Sequence, residues 1–290
     1  MKRISLTKQV NLPAIYKLAW PAIVSHATVM IVSVIDLAFL GRLDLAASAI
    51  AAGAIANNVC AAVYSFLEGL RSGTTVLVAR FLGADKSKEI SATINLAITL
   101  AIIVGFSLVA FAPFLAKFIY TVAGDEGIAA RGYSYLTIRL FGLPFHLIIF
   151  AILGLFRGLK NTTIPLIVST VICLLDAFLD YVFMYGKFGF PAMGMNGIAL
   201  ATFVAYVFGL ILSLSLMLRL PLTRKYVNFK TSFRPIFKTF IKLCTEIGLY
   251  SGVVILALFL FVFMFTPLGP QAIAAHQIVF QVFIVTYLPP

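Results

Sequence analysis

Asp36, Glu68, Asp176 and Asp180 each interrupt a run of apolar residues long enough to cross a bilayer. An ionised carboxylate at that depth costs on the order of 3 kcal/mol unless it is paired or hydrated. Asp176 and Asp180 are four residues apart, so they share one helix face. Asp36 lies five residues before Gly41, which ends its run, and so about 7 Å inward at the helical rise. Asp180 lies six residues before Gly186, about 9 Å inward from the same side. Thr202 lies six residues into a run that enters from that side at Asn196. These groups therefore share one depth. Carboxylates gathered in a low-dielectric pocket cannot all stay charged, so either a proton is taken up or a cation is bound. Oxygen-only ligands suit a hard cation such as Na+. The expected chemistry is thus uptake of H+ or Na+ at Asp36, Asp176, Asp180 and Thr202, with no other cofactor. The bland alternative is that each aspartate bonds a neighbouring helix and does nothing more.

Glu68 has Arg71 three residues on, the spacing of a helical ion pair. The small, polar Ser72-Gly73-Thr74-Thr75 that follows suits either a tight helix contact or a cavity wall. Glu68 and Arg71 are candidate cavity or gating residues, as are Pro21 and Asn57. Pro21 removes a backbone hydrogen bond and should kink its helix. Asn57 and Asn58 are expected to bond between helices. His26, His146 and His276 read as packed polar groups, and Glu246 as interfacial. The three cysteines, Cys60, Cys173 and Cys244, have no CxxC spacing and imply neither a disulfide framework nor a metal site.

The elements that must hold these residues follow from composition. The chain has 290 residues, is 62% hydrophobic and carries only 11% charged residues, against roughly 25% in soluble domains. Its solvent must be lipid. A span needs about 20 apolar residues, and runs of that kind fall near 13–40, 46–70 (continuing as helix to about 80), 92–119, 132–156, 163–185, 197–218, 236–265 and 271–288. The backbone must bond within each segment, so these are helices. The alternation of a β-barrel is absent. The net charge of +12 sits in short loops, which speaks for membrane topology and against nucleic acid. With the N-terminus inside, the inner segments hold sixteen Lys and Arg and the outer ends four, the bias that marks cytoplasmic loops. The expected location is the plasma (inner) membrane, multi-pass, with a cytoplasmic N-terminus.

Residues 219–235 form the longest polar stretch and read as a cytoplasmic linker. Ala49-Ile50-Ala51-Ala52-Gly53-Ala54-Ile55 and Ala272-Ile273-Ala274-Ala275-His276-Gln277-Ile278 match at five of seven positions, each after a break that follows the first span of a group. Parallel repeats of this kind occur in transporters. The expected architecture is all-α and integral to the membrane: a six-helix N-terminal bundle (1–218), the linker (219–235) and the first two helices of a second, repeated bundle (236–290).

Several stretches carry a family resemblance: Leu18-Ala19-Trp20-Pro21 with Val34-Ile35-Asp36-Leu37-Ala38-Phe39-Leu40-Gly41-Arg42-Leu43, then Gly73-Thr74-Thr75-Val76-Leu77-Val78-Ala79-Arg80-Phe81-Leu82-Gly83-Ala84, Arg157-Gly158-Leu159-Lys160-Asn161-Thr162-Thr163-Ile164-Pro165-Leu166, Leu179-Asp180-Tyr181-Val182-Phe183-Met184-Tyr185-Gly186, Gly197-Ile198-Ala199-Leu200-Ala201-Thr202 and Gly269-Pro270-Gln271-Ala272-Ile273-Ala274-Ala275-His276-Gln277-Ile278. In this order the chain resembles the multidrug and toxic compound extrusion (MATE) family, most closely its prokaryotic DinF-like branch. The resemblance implies an antiporter, not an enzyme, that expels small organic compounds in exchange for Na+ or H+. It implies two six-helix bundles around a cleft and a monomer when full length. By motif position it puts the helix-1 aspartate on Asp36, the helix-5 pair on Asp176 and Asp180, the helix-6 threonine on Thr202 and the kink proline on Pro21. Asp176 departs from the asparagine the family often has there. The resemblance also implies four further helices, so the chain is expected to be a C-terminally truncated fragment. The rival readings are a flippase for lipid-linked saccharides, an intramembrane enzyme and a non-functional remnant. Only Arg71 and Arg139 lie near spans, too few for a pyrophosphate cleft, and no protease motif surrounds the aspartates.

Overall fold

Lipid offers the backbone no partner but itself, and the computed structural model contains no strand among the residues it describes, 12–42, 46–124, 126–228 and 230–286. The readings made above that fall on residues 1–11, on Leu43 and on 287–290 lie outside these, as does the side chain of His26. The helices are α1 Leu12–Leu40, α2 Ala46–Gly83, α3 Ser87–Ala123, α4 Glu126–Phe141, α5 Leu143–Gly158, α6 Thr163–Tyr185, α7 Met195–Arg219, the short α8 Pro221–Arg224, α9 Phe237–Phe263 and α10 Pro270–Thr286. Among the described residues five helices are long and apolar enough to cross a membrane, or six if the bent pair α4 and α5 is one span. The 29 residues of α1 reach about 43 Å, also enough to cross.

One expected span is corrected. The run 132–156 is not a single helix: α4 and α5 meet at Gly142 with a bend of about 40°. The cause is Pro144, which lacks an N–H and whose ring would strike the carbonyl one turn back. A new helix starts instead, with proline in its first turn. By contrast, α1 continues through Pro21 as one helix.

At the centre lies α2, held by glycines. A Cβ on Gly69 would collide with the Cys244 carbonyl, and one on Gly248 with the Phe66 carbonyl; Gly73 and Gly252 are as tightly covered, by the Cys244 thiol and the Phe66 ring. On its other side, a Cβ on Gly154 of α5 would come within 2.7 Å of the Arg71 carbonyl, and one on Gly158 within 2.6 Å of Val78. Small residues spaced four apart let helix backbones approach where lipid supplies no hydrophobic drive. The Ser72–Thr75 stretch is thus a tight contact, with Thr75 Oγ1 donating to the Gly154 carbonyl at 3.3 Å.

The polar stretch after α7 is docked rather than free. Thr223 is fully buried and its hydroxyl donates to the Met217 carbonyl. Asn95 of α3 donates to the carbonyls of Asn228 and Thr231. The two matching alanine-rich segments open α2 and α10, and their buried residues share one core. Asn58 of α2 reaches Gln277 of α10 at 3.4 Å. Phe111, Phe114 and Phe118 of α3 are exposed, as suits residues that meet lipid.

Candidate functional site

A polar seam between α1 and α6 positions the acidic cluster. Ser25 and Ser169 share a hydrogen bond of 2.8 Å, 144 residues apart in sequence. The Cys173 thiol donates to the Thr28 carbonyl, 145 residues apart. Asp36 and Asp180 continue this register outward. Ser169, Cys173, Asp176 and Asp180 recur at helical spacing and so fall on one face of α6. The two helices run parallel, and the seam brings their aspartates to one level.

Carboxylate oxygens of Asp36, Asp176 and Asp180 lie within 4.8 Å of one another. All three residues are at most 2% exposed. Thr202 of α7 joins them, buried, with its hydroxyl donating back to the Ile198 carbonyl. The sequence-predicted cluster is therefore assembled as one pocket.

Arg139, which the sequence places near a span without giving it a role, lies within this pocket. From the last turn of α4 its Nη1 donates to Thr202 Oγ1 at 2.9 Å and to Asp36 Oδ2 at 3.3 Å. Its Nη2 donates to Asn57 Oδ1 at 3.2 Å. The guanidinium lies over the ring of the fully buried Tyr135, one turn earlier on α4, 5.8 Å from its centroid. One guanidinium thus ties α4 to α1, α2 and α7. The only advance signal was a charged residue inside an apolar run.

The cluster carries three carboxyl groups against one guanidinium. Asp36 Oδ1, Asp176 Oδ1 and both oxygens of Asp180 have no hydrogen-bond donor within the protein. Buried acceptors of this kind require a donor or a positive ion. Carboxylate oxygens without donors fit a proton shared between carboxyls or a hard cation. Two further predicted ligand oxygens, Asp36 Oδ2 and Thr202 Oγ1, already accept from Arg139.

Glu68 and Arg71 form the expected ion pair, with Arg71 Nε donating to Glu68 Oε1 at 2.7 Å and Ser72 donating to the same oxygen. The pair lines a cavity of about 520 Å³ with Tyr64, Phe150 and Tyr250, open between α2, α5 and α9. Arg71 lies 5.1 Å from the Phe150 centroid. Glu68 is eleven residues along α2 from Asn57, a separation of roughly 16 Å. Between the two sites, His146 packs against the rings of Tyr64, Phe150 and Tyr206, with centroids 4.3–4.7 Å away. His276 likewise packs among Phe261, Phe265 and Phe280. Glu246 is exposed beside Lys242 at 3.8 Å.

Buried charged groups gathered from three helices of a multi-pass membrane bundle, with Thr202 from a fourth, are the kind of feature found in membrane transporters. The MatE family model matches residues 21–182, and the chain belongs to that family, whose members are transporters and not enzymes. It is 32% identical over 194 residues to the probable multidrug resistance protein NorM of Thermotoga maritima, a match covering 67% of this chain and 41% of that one. It is 26% identical to the multidrug resistance protein NorM of Vibrio cholerae, over 90% of this chain and 58% of that one. Its fold is similar to that of the MATE multidrug transporter DinF-BH, with a TM-score of 0.87 at 18% identity, over 98% of this chain and 63% of that one. The chain thus spans about half the length of the curated relatives it matches.

Proposed function

We propose that this chain is the N-terminal part of a cation-coupled exporter, in which the buried cluster takes up H+ or Na+ as small organic compounds leave the cell. The observation that carries this reading is the meeting of Asp36, Asp176 and Asp180 in one buried pocket with unbonded oxygens. Asp36, Asp176, Asp180 and Thr202 are the coupling residues. Glu68 and Arg71, in the aromatic cavity, face the transported compound. Residues 1–218 supply a first bundle, 219–235 the cytoplasmic connection, and 236–290 the start of a second. A coupling ion drives the cycle only if it binds the inward-open and outward-open states with different affinity. The flippase alternative is disfavoured, because Arg139 is paired with Asp36 and Arg71 with Glu68. Neither guanidinium is free to hold pyrophosphate.

The test is Asp36→Asn and Asp180→Asn in the complete transporter that carries this chain. Export of a fluorescent organic compound from vesicles, driven by a pH or Na+ gradient, should fall at least tenfold in each variant. Wild-type export from both variants would rule the coupling role out.

A further inference from the structure

Arg139 has no place in the coupling scheme drawn so far, yet it holds two of the oxygens a metal ion would use. Its Nη1 engages Asp36 Oδ2 and Thr202 Oγ1 at once, and its Nη2 donates to Asn57 Oδ1. A guanidinium cannot lose its charge in a protein, so this positive group is permanent. It sits three residues before Gly142, where α4 and α5 part at an angle of about 40°. At that break Gly142 packs closely, and a Cβ there would lie 3.1 Å from the Tyr206 ring.

We propose that Arg139 is a tethered cation with which the coupling ion competes for the carboxylate cluster. With the guanidinium seated, an incoming metal ion meets a like charge a few ångströms away and finds two ligand oxygens taken. With the guanidinium withdrawn by movement at Gly142, both oxygens are released and the repulsion disappears. The same cluster therefore has two affinities for one ion, the property that cation-driven export requires. This inference rests on the coupling reading above and names the residue that sets its affinity.

The experiment is a binding measurement on the purified complete transporter that carries this chain, in detergent. Na+ replaces choline at constant ionic strength, and thermal unfolding reports occupancy. Two unit charges about 4 Å apart in a protein repel enough to change affinity by up to roughly a thousandfold. Arg139→Gln should therefore half-saturate at a Na+ concentration at least tenfold lower than wild type. Adding Asp36→Asn to that variant should abolish the gain. Millimolar guanidinium ion should also reverse it, which a merely structural change would not allow. Arg139→Lys, which keeps the charge but cannot span Asp36, Thr202 and Asn57 together, should shift in the same direction by a smaller factor, and it serves where Arg139→Gln does not fold. Unchanged or weaker Na+ binding in the folded variants overturns the proposal. That result leaves the coupling reading intact if Asp36→Asn and Asp180→Asn still abolish gradient-driven export. Conversely, full export by those aspartate variants removes the coupling reading without touching the competition seen by binding.

Discussion

Arg139 has five N–H donors and no acceptor, and three of its bonds end on side chains of α1, α2 and α7. It is the protein cation placed among three buried carboxyl groups. Removing one partner of a buried ion pair leaves the other charge uncompensated, a loss of about 3–5 kcal/mol. Arg139→Gln is therefore expected to lower the unfolding midpoint strongly in the absence of Na+. Asp176→Asn in the same chain removes one negative charge and should restore part of the loss. Groups in one network couple by about 0.5–3 kcal/mol. If the two substitutions add as independent changes in thermal unfolding, the charge balance described for the cluster is wrong.

For the helices, lipid makes glycine more valuable than it is in water. A Gly→Ala change in an exposed helix stabilises by about 1 kcal/mol. Gly69 and Gly248 should do the opposite, because a Cβ at either would strike the backbone of the facing helix. Gly69→Val or Gly248→Val should push α9 from α2 and destabilise by about 1–3 kcal/mol, as overpacking does. The readouts are the thermal midpoint and the rate at which protease cuts the 219–235 connection. Unchanged values for both variants would mean that α2 and α9 do not meet through these glycines. Most helix ends were legible beforehand: 163–185 was read at the observed limits, and α7 within two residues. The break at Gly142 was not read, although Pro144 carries the same helix-breaking signal as Pro21: both prolines lie inside long apolar runs, and only at Pro144 does the helix stop and restart.

Across the whole molecule, the excess of Lys and Arg predicts that the loops at Lys160 and Lys225 face the cytoplasm and that Phe188 faces outside. Single cysteines placed there should react with a membrane-impermeant maleimide accordingly, Phe188→Cys from outside in intact cells, and Lys160→Cys and Lys225→Cys only after the membrane is opened. Background from native thiols is small, because Cys60 and Cys173 are buried and Cys244 is half-buried. Labelling of Lys160→Cys in intact cells would reverse the orientation.

Membrane residence, the helical nature of the segments and the shared depth of Asp36, Asp180 and Thr202 could be determined from the chain alone. Depth is one-dimensional: a fixed rise per residue measures it from a helix end without knowledge of any neighbour. Which helix lies beside which, and which face it turns inward, only the tertiary structure decided. A helix apolar on all sides carries no stripe to mark its inner face, and lipid is as apolar as the partner it would replace. Neighbours are then chosen by glycines that let backbones touch and by buried polar groups that must find one another. That choice brought Arg139 to the aspartates and α9 onto α2.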